Sequence, residues 1–492
     1  MSGYTLLTGP TGLLGRYILR DLLIAGHRVA VVARPGKKET VAQRIEAILQ
    51  PWEAETGKSL PRPVCFAGDI TKEFLGLDNP SRQWISQHCS SMLHNAAALK
   101  FYEEADGEPW RTNVEGTRHV LQLCQDTGIK QMHYVSTAYV SGTRDGRIME
   151  NTLDLGQSFR NDYEKSKLQA ETLVRNDKNL EQVTVYRPAV IAGDSRTGYT
   201  NTYHGLFMYL QLMSVLARNT EPGPDGIRNT SLQLNITGDE PRNVIPVDWT
   251  SEVITHLIGT PESHGQTFHL APRVRMTARH MIEAGYTYFN STGVEFVGPT
   301  EECPEEGMER DAYQNSMMYR EYEASDPEFD TTNLDRFAGH LPCPTIDEPM
   351  LHRFMAFGEE DRWGKRRTKS VNVAIQMEQY LEDLLQADFP IDEESTDQHK
   401  KFVGLNVLGS GGGQWTIALR SNQLIGFKPG INSDCSKYFS IDSSVFDTPS
   451  TDNVTDQQVE LTRHWQETTT NRQCRLAGRL AEALFPSVSE SC

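Results

Sequence analysis

The first part of the chain alternates between short apolar runs and amphipathic helical patterns. Runs such as YTLLT, HRVAVVAR and VTVYRPAVIAGD have the length of buried strands, and stretches such as RTNVEGTRHVLQLCQ between them have helical spacing. Strands that alternate with helices are typical of a parallel sheet whose two faces are both covered by helices. We therefore predict an α/β fold with a doubly wound parallel sheet over residues 4–194.

The pattern changes beyond this sheet. Residues 198–243 contain the apolar helical stripe YHGLFMYLQLMSVLARN, which suits an acyl-chain tunnel and an ordinary core equally, and GQTFHLAPR predicts a last edge strand. We assign residues 1–270 to one core domain, with residues 198–243 as its substrate-pocket insertion. Residues 271–364 are expected to extend the same substrate lobe.

A second domain is predicted after the basic stretch WGKRRTKS, where we place a linker at residues 365–371. The stretch VNVAIQMEQYLEDLL predicts an amphipathic helix, and a terminal helix holds QCRLAGRLAEALF. Between them, GSGGG is followed by a strand-like run and not by a helix, so it is interpreted as a hairpin turn. These elements predict a smaller α+β domain over residues 372–492.

Composition and charge narrow the classes of protein that this chain can represent. The formal net charge of −18 argues against a nucleic-acid binder, which needs a basic face. The apolar runs are too short to cross a bilayer, and the N-terminus lacks the pattern of a secretory signal. The eight cysteines are scattered without CxxC pairs, so we expect neither a metal site nor a disulfide framework. A cytoplasmic location is the simplest interpretation.

A glycine-rich turn joins the first predicted strand to the first predicted helix. Its glycines follow a G-x-x-G-x-x-G spacing, which differs from the G-x-G-x-x-G of ordinary dinucleotide folds. Glycines at such a junction allow a tight turn and let backbone N–H groups approach a pyrophosphate at the helix N-terminus. We expect the turn to bind a dinucleotide through Gly9, Thr11, Gly12, Leu13, Leu14 and Gly15.

Basic residues follow the second predicted strand, where an NAD enzyme is expected to carry an acidic residue for the ribose hydroxyl. Arg34 and Lys37 lie there instead, and a cation suits the 2′-phosphate of NADPH, which we predict as the cofactor. Asp69 and Ile70, at the end of the next strand, are placed to meet the adenine. Small residues in HNAA allow close approach to the cofactor, so we add contacts from Asn95, Ala96 and Ala97.

Tyr163 and Lys167 are four residues apart in NDYEKSKLQAE, which places both side chains on one face of a helix. Solvated helix faces also carry such pairs. Thr137, however, ends a predicted strand, and ligands of doubly wound sheets bind beyond the carboxyl ends of the strands. We expect Thr137 to donate to a carbonyl oxygen and Tyr163 to supply a proton. The Lys167 ammonium is expected to lower the tyrosine pKa and to bind the nicotinamide ribose.

Together these residues resemble the extended short-chain dehydrogenase/reductase superfamily, whose core is a Rossmann sheet. The resemblance implies a catalytic role for Asn113 in NVEGT, at the position of a helix-kinking asparagine that holds a water in the proton relay. The stretches GDITKEFLGLD, YVSTAYVSG, YRPAVIAGDSRTGYTN and VIPVDWTSEVI are similar to the thioester reductases. That group includes fatty acyl-CoA reductases and the terminal reductase domains of carboxylic acid reductases and nonribosomal peptide synthetases.

The thioester-reductase resemblance covers about residues 4–270 and implies NADPH-dependent cleavage of an acyl thioester to an aldehyde. The thioester is expected on CoA or on a carrier protein, and the motifs leave open whether the aldehyde is reduced further to an alcohol. Within the sequence RPAV, where the family often has glycine after the proline, the resemblance implies cofactor contacts from Pro188, Ala189 and Val190.

Two other functions remain open at this point. One is a superfamily member that acts on a sterol, a sugar or another ketone, and the other is a lipid-binding protein with a non-catalytic reductase fold. The order of elements over residues 370–492 resembles the sterol-carrier-protein fold, which implies a bound lipid that could serve the reductase. A dimerisation or docking domain is the alternative for this region. The oligomeric state cannot be predicted from these patterns.

Overall fold

The computed structural model describes residues 3–298, 325–366, 377–386, 400–420, 423–432, 435, 438–446, 480, 483 and 484. Its strands are β1 Tyr4–Thr8, β2 Val29–Ala33, β3 Val64–Ala67, β4 Cys89–His94, β5 Gln131–Val135, β6 Arg147–Ile148, β7 Gln182–Pro188, β8 Val190–Ile191, β9 Arg228–Leu234, β10 Pro241–Arg242, β11 Val244–Ile245, β12 Thr267–Leu270, β13 Met276–Thr277, β14 Ser291–Phe296, β15 Glu328–Phe329, β16 Lys401–Leu408, β17 Gly413–Arg420, β18 Gln423–Pro429 and β19 Tyr438–Asp442.

The helices are given in the same chain order. They are α1 Leu13–Ile24, α2 Val41–Thr56, α3 Asn79–His88, α4 Gly116–Thr127, α5 Asp162–Asn176, α6 Leu206–Asn219, α7 Val247–Ile258, α8 Ala278–Tyr288, α9 Thr332–Ala338, α10 Glu348–Glu360 and α11 Met377–Gln386. A π-helical turn, Arg111–Glu115, precedes α4. Short 3₁₀ turns are found at Glu73–Gly76, Ala138–Ser141, Pro261–Ser263 and Ser443–Phe446.

A seven-stranded parallel sheet forms the centre of the molecule, in the order β12-β7-β5-β4-β1-β2-β3. One face is covered by α1, α2 and α7, and the other by α3, α4 and α5. The strands are almost entirely buried, as in β1 and β2, because helices lie on both sides of them. The predicted doubly wound Rossmann sheet is confirmed, with β12 as the predicted edge strand.

The strand order reverses between β1 and β4, which are neighbours in the sheet although two strands separate them in the chain. At their carboxyl ends Thr8 lies beside His94. Because the connections from these two strands leave to opposite faces, a crevice forms beyond their ends, and ligands of open α/β sheets bind in such a crevice. The glycine turn after β1 and the HNAA segment after β4 therefore face the same crevice.

The lobe predicted to bind substrate is built jointly by residues 198–243 and the following extension. Strand β9 of the insertion pairs in parallel with β14, and helix α6 packs against α8 and α10 around a shared apolar core. The side chains of Phe207, Leu210 and Met213 are buried in this core. Of the two interpretations of the apolar stripe, ordinary core packing is thus the one that holds for these three residues.

The smaller C-terminal domain contains a mixed sheet in the order β18-β17-β16-β19. Strands β16 and β17 form an antiparallel hairpin through the glycines at 409 and 411–413, as predicted from GSGGG, whereas β16 and β19 are parallel. Met377 and Leu381 of α11 pack on one face of the sheet against Val403, Leu405 and Trp415. The predicted α+β class is confirmed for this domain.

The C-terminal domain docks at the amino ends of the central strands. The hydroxyl of Tyr4, the first residue of β1, donates to Gln414 Oε1 at 2.5 Å and accepts from the N–H of Ile431 at 3.0 Å. Nearby, the indole N–H of Trp84 donates to the carbonyl of Pro429 at 2.6 Å. These contacts bury polar groups of both domains against each other, so the two domains stabilise one another.

This placement bears on the suggested lipid-carrying role. The cofactor crevice lies at the carboxyl ends of the strands, whereas the C-terminal sheet contacts their amino ends, so the central sheet separates the two. Delivery of an acyl chain from this domain to the crevice of the same molecule is not supported by this geometry. The sterol-carrier resemblance and the domain boundaries at 270, 364 and 371 stay predictions, and the linker at 367–371 falls outside the described residues.

Within the described part of the chain, every helix is either too short or too polar to cross a bilayer.

Replacing Tyr4 by phenylalanine tests the docking of the C-terminal domain. The change removes one hydroxyl and leaves the buried Gln414 side chain and the Ile431 N–H without that partner. We expect the free energy of unfolding to fall by about 1–3 kcal/mol, measured by urea denaturation. Tyr438→Phe is the matched control, because that ring is 52% exposed. Equal stabilities of the two variants would contradict the docking role of Tyr4.

Candidate functional site

The glycine turn after β1 has the geometry that the sequence pattern requires. Gly9 has a φ of +70°, a conformation that favours glycine, and its carbonyl accepts from the N–H of Gly12 at 3.3 Å. A Cβ on Gly15 would collide with the carbonyl of Gly9, so only glycine allows α1 to begin this close to the turn. A Cβ on Gly9 would come within 2.8 Å of Ala96 Cα, which brings the turn against the segment after β4.

The segment after β4 is held to the same turn by hydrogen bonds. The side-chain amide of Asn95 donates to the carbonyl of Gly9 at 3.2 Å. The N–H groups of Asn95 and Ala96 both donate to Thr8 Oγ1 at 3.2 Å. Ala97, one residue further, is exposed. Asn95 and Ala96 therefore form one wall of the crevice that the glycine turn opens.

A dinucleotide pyrophosphate fits this cradle. Helix α1 begins at Leu13, and its N-cap residue, Gly12, is exposed and has no side chain that could cap the helix. A Cβ on Gly12 would have only the Gly9 carbonyl as a neighbour, at 3.7 Å, so this side of the turn is open. The helix N-terminus presents N–H groups and a partial positive charge to an anion placed there. Leu14 packs its side chain into the core, so its contribution is limited to the backbone.

Basic residues from three segments lie beyond β2. Arg34 and Lys37 are exposed directly after the strand, and Arg44 of α2 donates to the carbonyl of Arg34. Burial and the nearby Arg44 cation lower the pKa of the Arg16 guanidinium. Sequence reasoning did not select Arg16 or Arg44, whose proximity follows only from the packing of α1 against α2. This cationic group suits an additional phosphate on the ribose.

Asp69 and Ile70, predicted to contact the adenine, follow β3. Asp69 accepts from the backbone N–H of Thr71 at 3.0 Å and from its hydroxyl at 2.9 Å. Partial burial acts to raise the pKa of Asp69, but these hydrogen bonds and the Arg34 cation outweigh it and lower that pKa. Ile70 is buried against Gly116, and its carbonyl accepts from the ring of His119 at 3.0 Å. Asp69 thus lies beside the basic group, whereas the Ile70 side chain is part of the core.

Thr137 and Tyr163 are brought together, as predicted. Thr137 lies two residues beyond β5, and Tyr163 is the second residue of α5, whose N-cap Asn161 accepts from the N–H of Glu164. The Thr137 hydroxyl lies near enough to the Tyr163 phenol to act on its pKa. Thr137 also donates to the carbonyl of Pro188 at 3.5 Å. The phenol therefore lies at a helix N-terminus, beside the residue predicted to bind a carbonyl oxygen.

The predicted lowering of the Tyr163 pKa is wrong for this geometry. Burial and the adjacent Glu164 carboxylate raise the pKa of Tyr163 to about 12, and the hydrogen bond with Thr137 opposes them only in part. The Lys167 ammonium instead donates to Tyr134 Oη and to the carbonyl of Val135, both at 2.8 Å. A phenol with this pKa stays protonated at neutral pH, which keeps a proton donor loaded for a reduction.

Lys167 itself is buried and lies inside the helix–sheet interface. Burial lowers the pKa of Lys167 to about 7, although the Glu171 carboxylate acts to raise it. Its partner Tyr134 was not selected from the sequence. That tyrosine lies 33 residues away, on the central strand β5, where an apolar run gave no sign of a polar contact.

Asn113 lies in the π-helical turn before α4, which agrees with the expected helix kink. Its side chain accepts from the N–H of Ala98 at 2.8 Å and donates to Ser166 Oγ at 2.9 Å, so it ties the segment after β4 to α5. Its main-chain carbonyl accepts from Thr117 Oγ1 at 2.6 Å. Asn113 therefore makes direct protein contacts where the resemblance implied a bound water.

The remaining predicted contacts follow β7. Ala189 is buried, and its N–H donates to the carbonyl of Leu270 at 2.9 Å. Val190 begins the short strand β8, which pairs with β11 through Val244. Among the described hydrogen bonds, Pro188 is the only one of these three residues that contacts Thr137. The RPAV segment thus borders Thr137 through the carbonyl of Pro188.

A buried ion pair that was not predicted from the sequence lies behind Thr137 and Tyr163. Arg187 donates to Glu171 Oε1 at 2.7 Å, and Ser136 Oγ donates to Glu171 Oε2 at 2.6 Å. Glu171 is four residues beyond Lys167, and the repeated spacing from Tyr163 is the signal that could have identified it. Among the described residues, no cluster of His, Cys, Asp and Glu suits a metal ion.

The comparison with protein families decides the class of this chain. The model of an NAD-binding family described as male sterility protein matches residues 7–254, just over half of the chain. The chain belongs to this family. The predicted resemblance to extended short-chain dehydrogenases/reductases of the thioester-reductase group is thereby confirmed, and binding of a nicotinamide cofactor is the property that the family shares.

Relatives of this family member include large biosynthetic proteins. The nonribosomal peptide synthetase asaC of Aspergillus flavus is 27% identical over 285 residues, which are 55% of this chain and 26% of that protein. The aldehyde reductase lnaA of the same fungus is 25% identical over 395 residues, which are 72% of this chain and 36% of that protein. The chain thus spans between a quarter and two fifths of the length of these relatives.

Solved structures show the same fold. The terminal R domain from the myxalamid PKS-NRPS biosynthetic pathway is 26% identical to this chain, with a TM-score of 0.59. The match covers 75% of this chain and 93% of that domain. A thiolation-reductase di-domain from an archaeal non-ribosomal peptide synthetase, at 20% identity and a TM-score of 0.55, shares the fold.

Two glycine substitutions separate folding from cofactor binding. Gly15→Ala places a methyl group against the carbonyl of Gly9, so we expect a lower melting temperature and loss of NADPH binding. Gly12→Ala points its methyl group into the open side of the turn, so we expect an unchanged melting temperature and NADPH affinity lowered at least about tenfold. Both are measured by thermal melting and fluorescence titration. Wild-type affinity in Gly12→Ala would show that the pyrophosphate lies elsewhere.

Proposed function

We propose that this chain reduces an acyl thioester to an aldehyde with NADPH. The observation that carries the proposal is the proximity of Thr137 to Tyr163, beyond the carboxyl end of β5. The similarity to the terminal R domain of a PKS-NRPS pathway and to an aldehyde reductase supports a thioester as the carbonyl substrate. Gly9, Gly12, Gly15, Asn95 and Ala96 are proposed to hold the cofactor, which supplies a hydride when it is bound.

The reaction follows from what the two hydroxyl groups can do. Thr137 donates a hydrogen bond to the thioester carbonyl oxygen and orients it toward Tyr163. As the carbonyl carbon accepts a hydride, its oxygen takes the phenolic proton of Tyr163 and a hemithioacetal forms. This intermediate then returns its hydroxyl proton to Tyr163, the carbon–sulfur bond breaks, and the thiolate takes a proton from solvent. One aldehyde and one thiol leave, and Tyr163 is protonated for the next turnover.

The thioester is proposed to arrive on a separate carrier, either CoA or a carrier protein. Relatives that are nonribosomal peptide synthetases favour a carrier-bound acyl group.

Substitution of Tyr163 tests the reaction. We expect Tyr163→Phe to lower thiol release from an acyl thioester by at least about 100-fold, because the oxyanion loses its proton donor. The assay follows NADPH absorbance, free thiol and aldehyde over a panel of acyl-CoA and carrier-bound substrates. Tyr438→Phe is the control, since that ring is 52% exposed on the C-terminal domain. Oxidation of NADPH by ketones without thiol release would favour a ketone reductase instead.

The basic group beyond β2 is proposed to select NADPH over NADH. We expect Arg34→Ala to raise the KM for NADPH about tenfold or more and to leave the KM for NADH unchanged, because only NADPH carries the 2′-phosphate. Steady-state kinetics with both cofactors measure this split. Lys130→Ala removes an exposed cation at the opposite end of the strands and should change neither value. Equal wild-type use of the two cofactors would refute the selection.

A further inference from the structure

A continuous chain of buried polar side chains runs behind the catalytic lysine. Lys167 Nζ donates to Tyr134 Oη, and Thr117 lies near enough to the Tyr134 hydroxyl to act on its pKa. Thr117 Oγ1 lies 3.2 Å from His94 Nε2, and His94 Nδ1 lies 2.8 Å from Thr8 Oγ1. All five side chains are at most 2% exposed. This series of polar side chains runs across the sheet from α5 to the end of β1.

The donors and acceptors of this chain fit one protonation pattern. Thr8 Oγ1 accepts the N–H groups of Asn95 and Ala96, so its own proton goes to His94 Nδ1. His94 is then protonated on Nε2 and donates to Thr117 Oγ1. It is held neutral, since burial and the Lys167 charge lower the pKa of His94 to about 3.

The Thr117 proton fixes the last step of the pattern. Thr117 Oγ1 donates to the carbonyl of Asn113 at 2.6 Å, so it can only accept from the Tyr134 hydroxyl. The Tyr134 oxygen is left as an acceptor for the Lys167 ammonium, at 2.8 Å. Each side chain in this series therefore has a donor or an acceptor as its partner. The series ends at backbone N–H groups that form one wall of the cofactor crevice.

We propose that Tyr134 is the positioning residue of Lys167, and that the Tyr134–Thr117–His94–Thr8 chain ties the lysine to the cofactor crevice. The inference rests on the proposed function only for the role of Lys167 at the cofactor ribose. A lysine side chain is a flexible stem that needs fixed partners to present its ammonium in one place. Tyr134 and the Val135 carbonyl are two such acceptors, and they leave one N–H of the ammonium for a ribose hydroxyl among the described contacts.

The charged and titratable groups that face Lys167 set the expected pH effect. Tyr163 and Glu171 lie on its own helix, Tyr134 on β5 and His94 on β4. Removing the Tyr134 hydroxyl takes one acceptor away from a buried ammonium while Glu171 remains, so the Lys167 pKa falls further. Lys167 then loses its proton at a lower pH than in the wild type. Cofactor affinity that depends on the ammonium is therefore also lost at a lower pH.

The test compares Tyr134→Phe with Tyr186→Phe in the full-length chain. Both rings are buried, and the Tyr186 hydroxyl bonds to His133 Nδ1 at 2.9 Å, away from Lys167. NADPH affinity is measured by fluorescence titration between about pH 6 and pH 9. We expect Tyr134→Phe to weaken binding about tenfold at pH 8 and to move the inflection to lower pH. Tyr186→Phe should match the wild type in both respects.

A second pair of variants guards against a folding defect. Thr117→Val removes the hydroxyl that accepts from Tyr134 at nearly constant shape, and Thr117→Ser restores it. The inference expects the valine variant to show the same shift and the serine variant to reverse it. Wild-type affinity and pH dependence in folded Tyr134→Phe, or a shift of equal size in Tyr186→Phe, would overturn the proposal. Because the titration uses no acyl substrate, failure of thioester turnover would contradict the proposed function alone.

Discussion

The buried ion pair between Glu171 and Arg187 is the interaction on which the geometry of the site depends. Both side chains are at most 1% exposed, and the carboxylate also accepts from Ser136, the residue before Thr137. Separating a buried charge from its partner costs about 3–5 kcal/mol, so α5 cannot slide or rotate on the sheet without a large loss of stability. The position of Tyr163 and Lys167 on α5 is thereby fixed relative to Thr137.

The two ends of the central sheet carry different tasks. The glycine turn, the HNAA segment and the Thr137–Tyr163 pair lie at the carboxyl ends. The amino ends are covered by the C-terminal domain through Tyr4 and Trp84. A buried apolar core on each face of the sheet separates the two ends.

Local patterns were enough to predict the fold and to propose the reacting groups, because their signals lie within a few residues. The spacing of Gly9, Gly12 and Gly15 identified the turn, and the four-residue interval between Tyr163 and Lys167 identified one helix face. The hydrogen-bond partners of these groups could not be predicted, because they depend on how strands and helices are arranged in space. Tyr134 lies 33 residues from Lys167, and Ser166 lies 53 residues from Asn113. The predicted direction of the Tyr163 pKa shift was wrong for the same reason, because this pKa depends on burial.

The hydrogen bond between Tyr4 and Gln414 joins residues 410 positions apart, and this separation has a consequence for synthesis. At a translation rate of about 5–20 residues per second, the first strand of the sheet waits roughly 20–80 s on the ribosome for its last partner. During that interval the amino ends of the strands are exposed to water and to other chains. Docking of the C-terminal domain therefore follows synthesis of residue 414, and a chaperone that binds the nascent amino ends of the strands would occupy the surface that the C-terminal domain later covers.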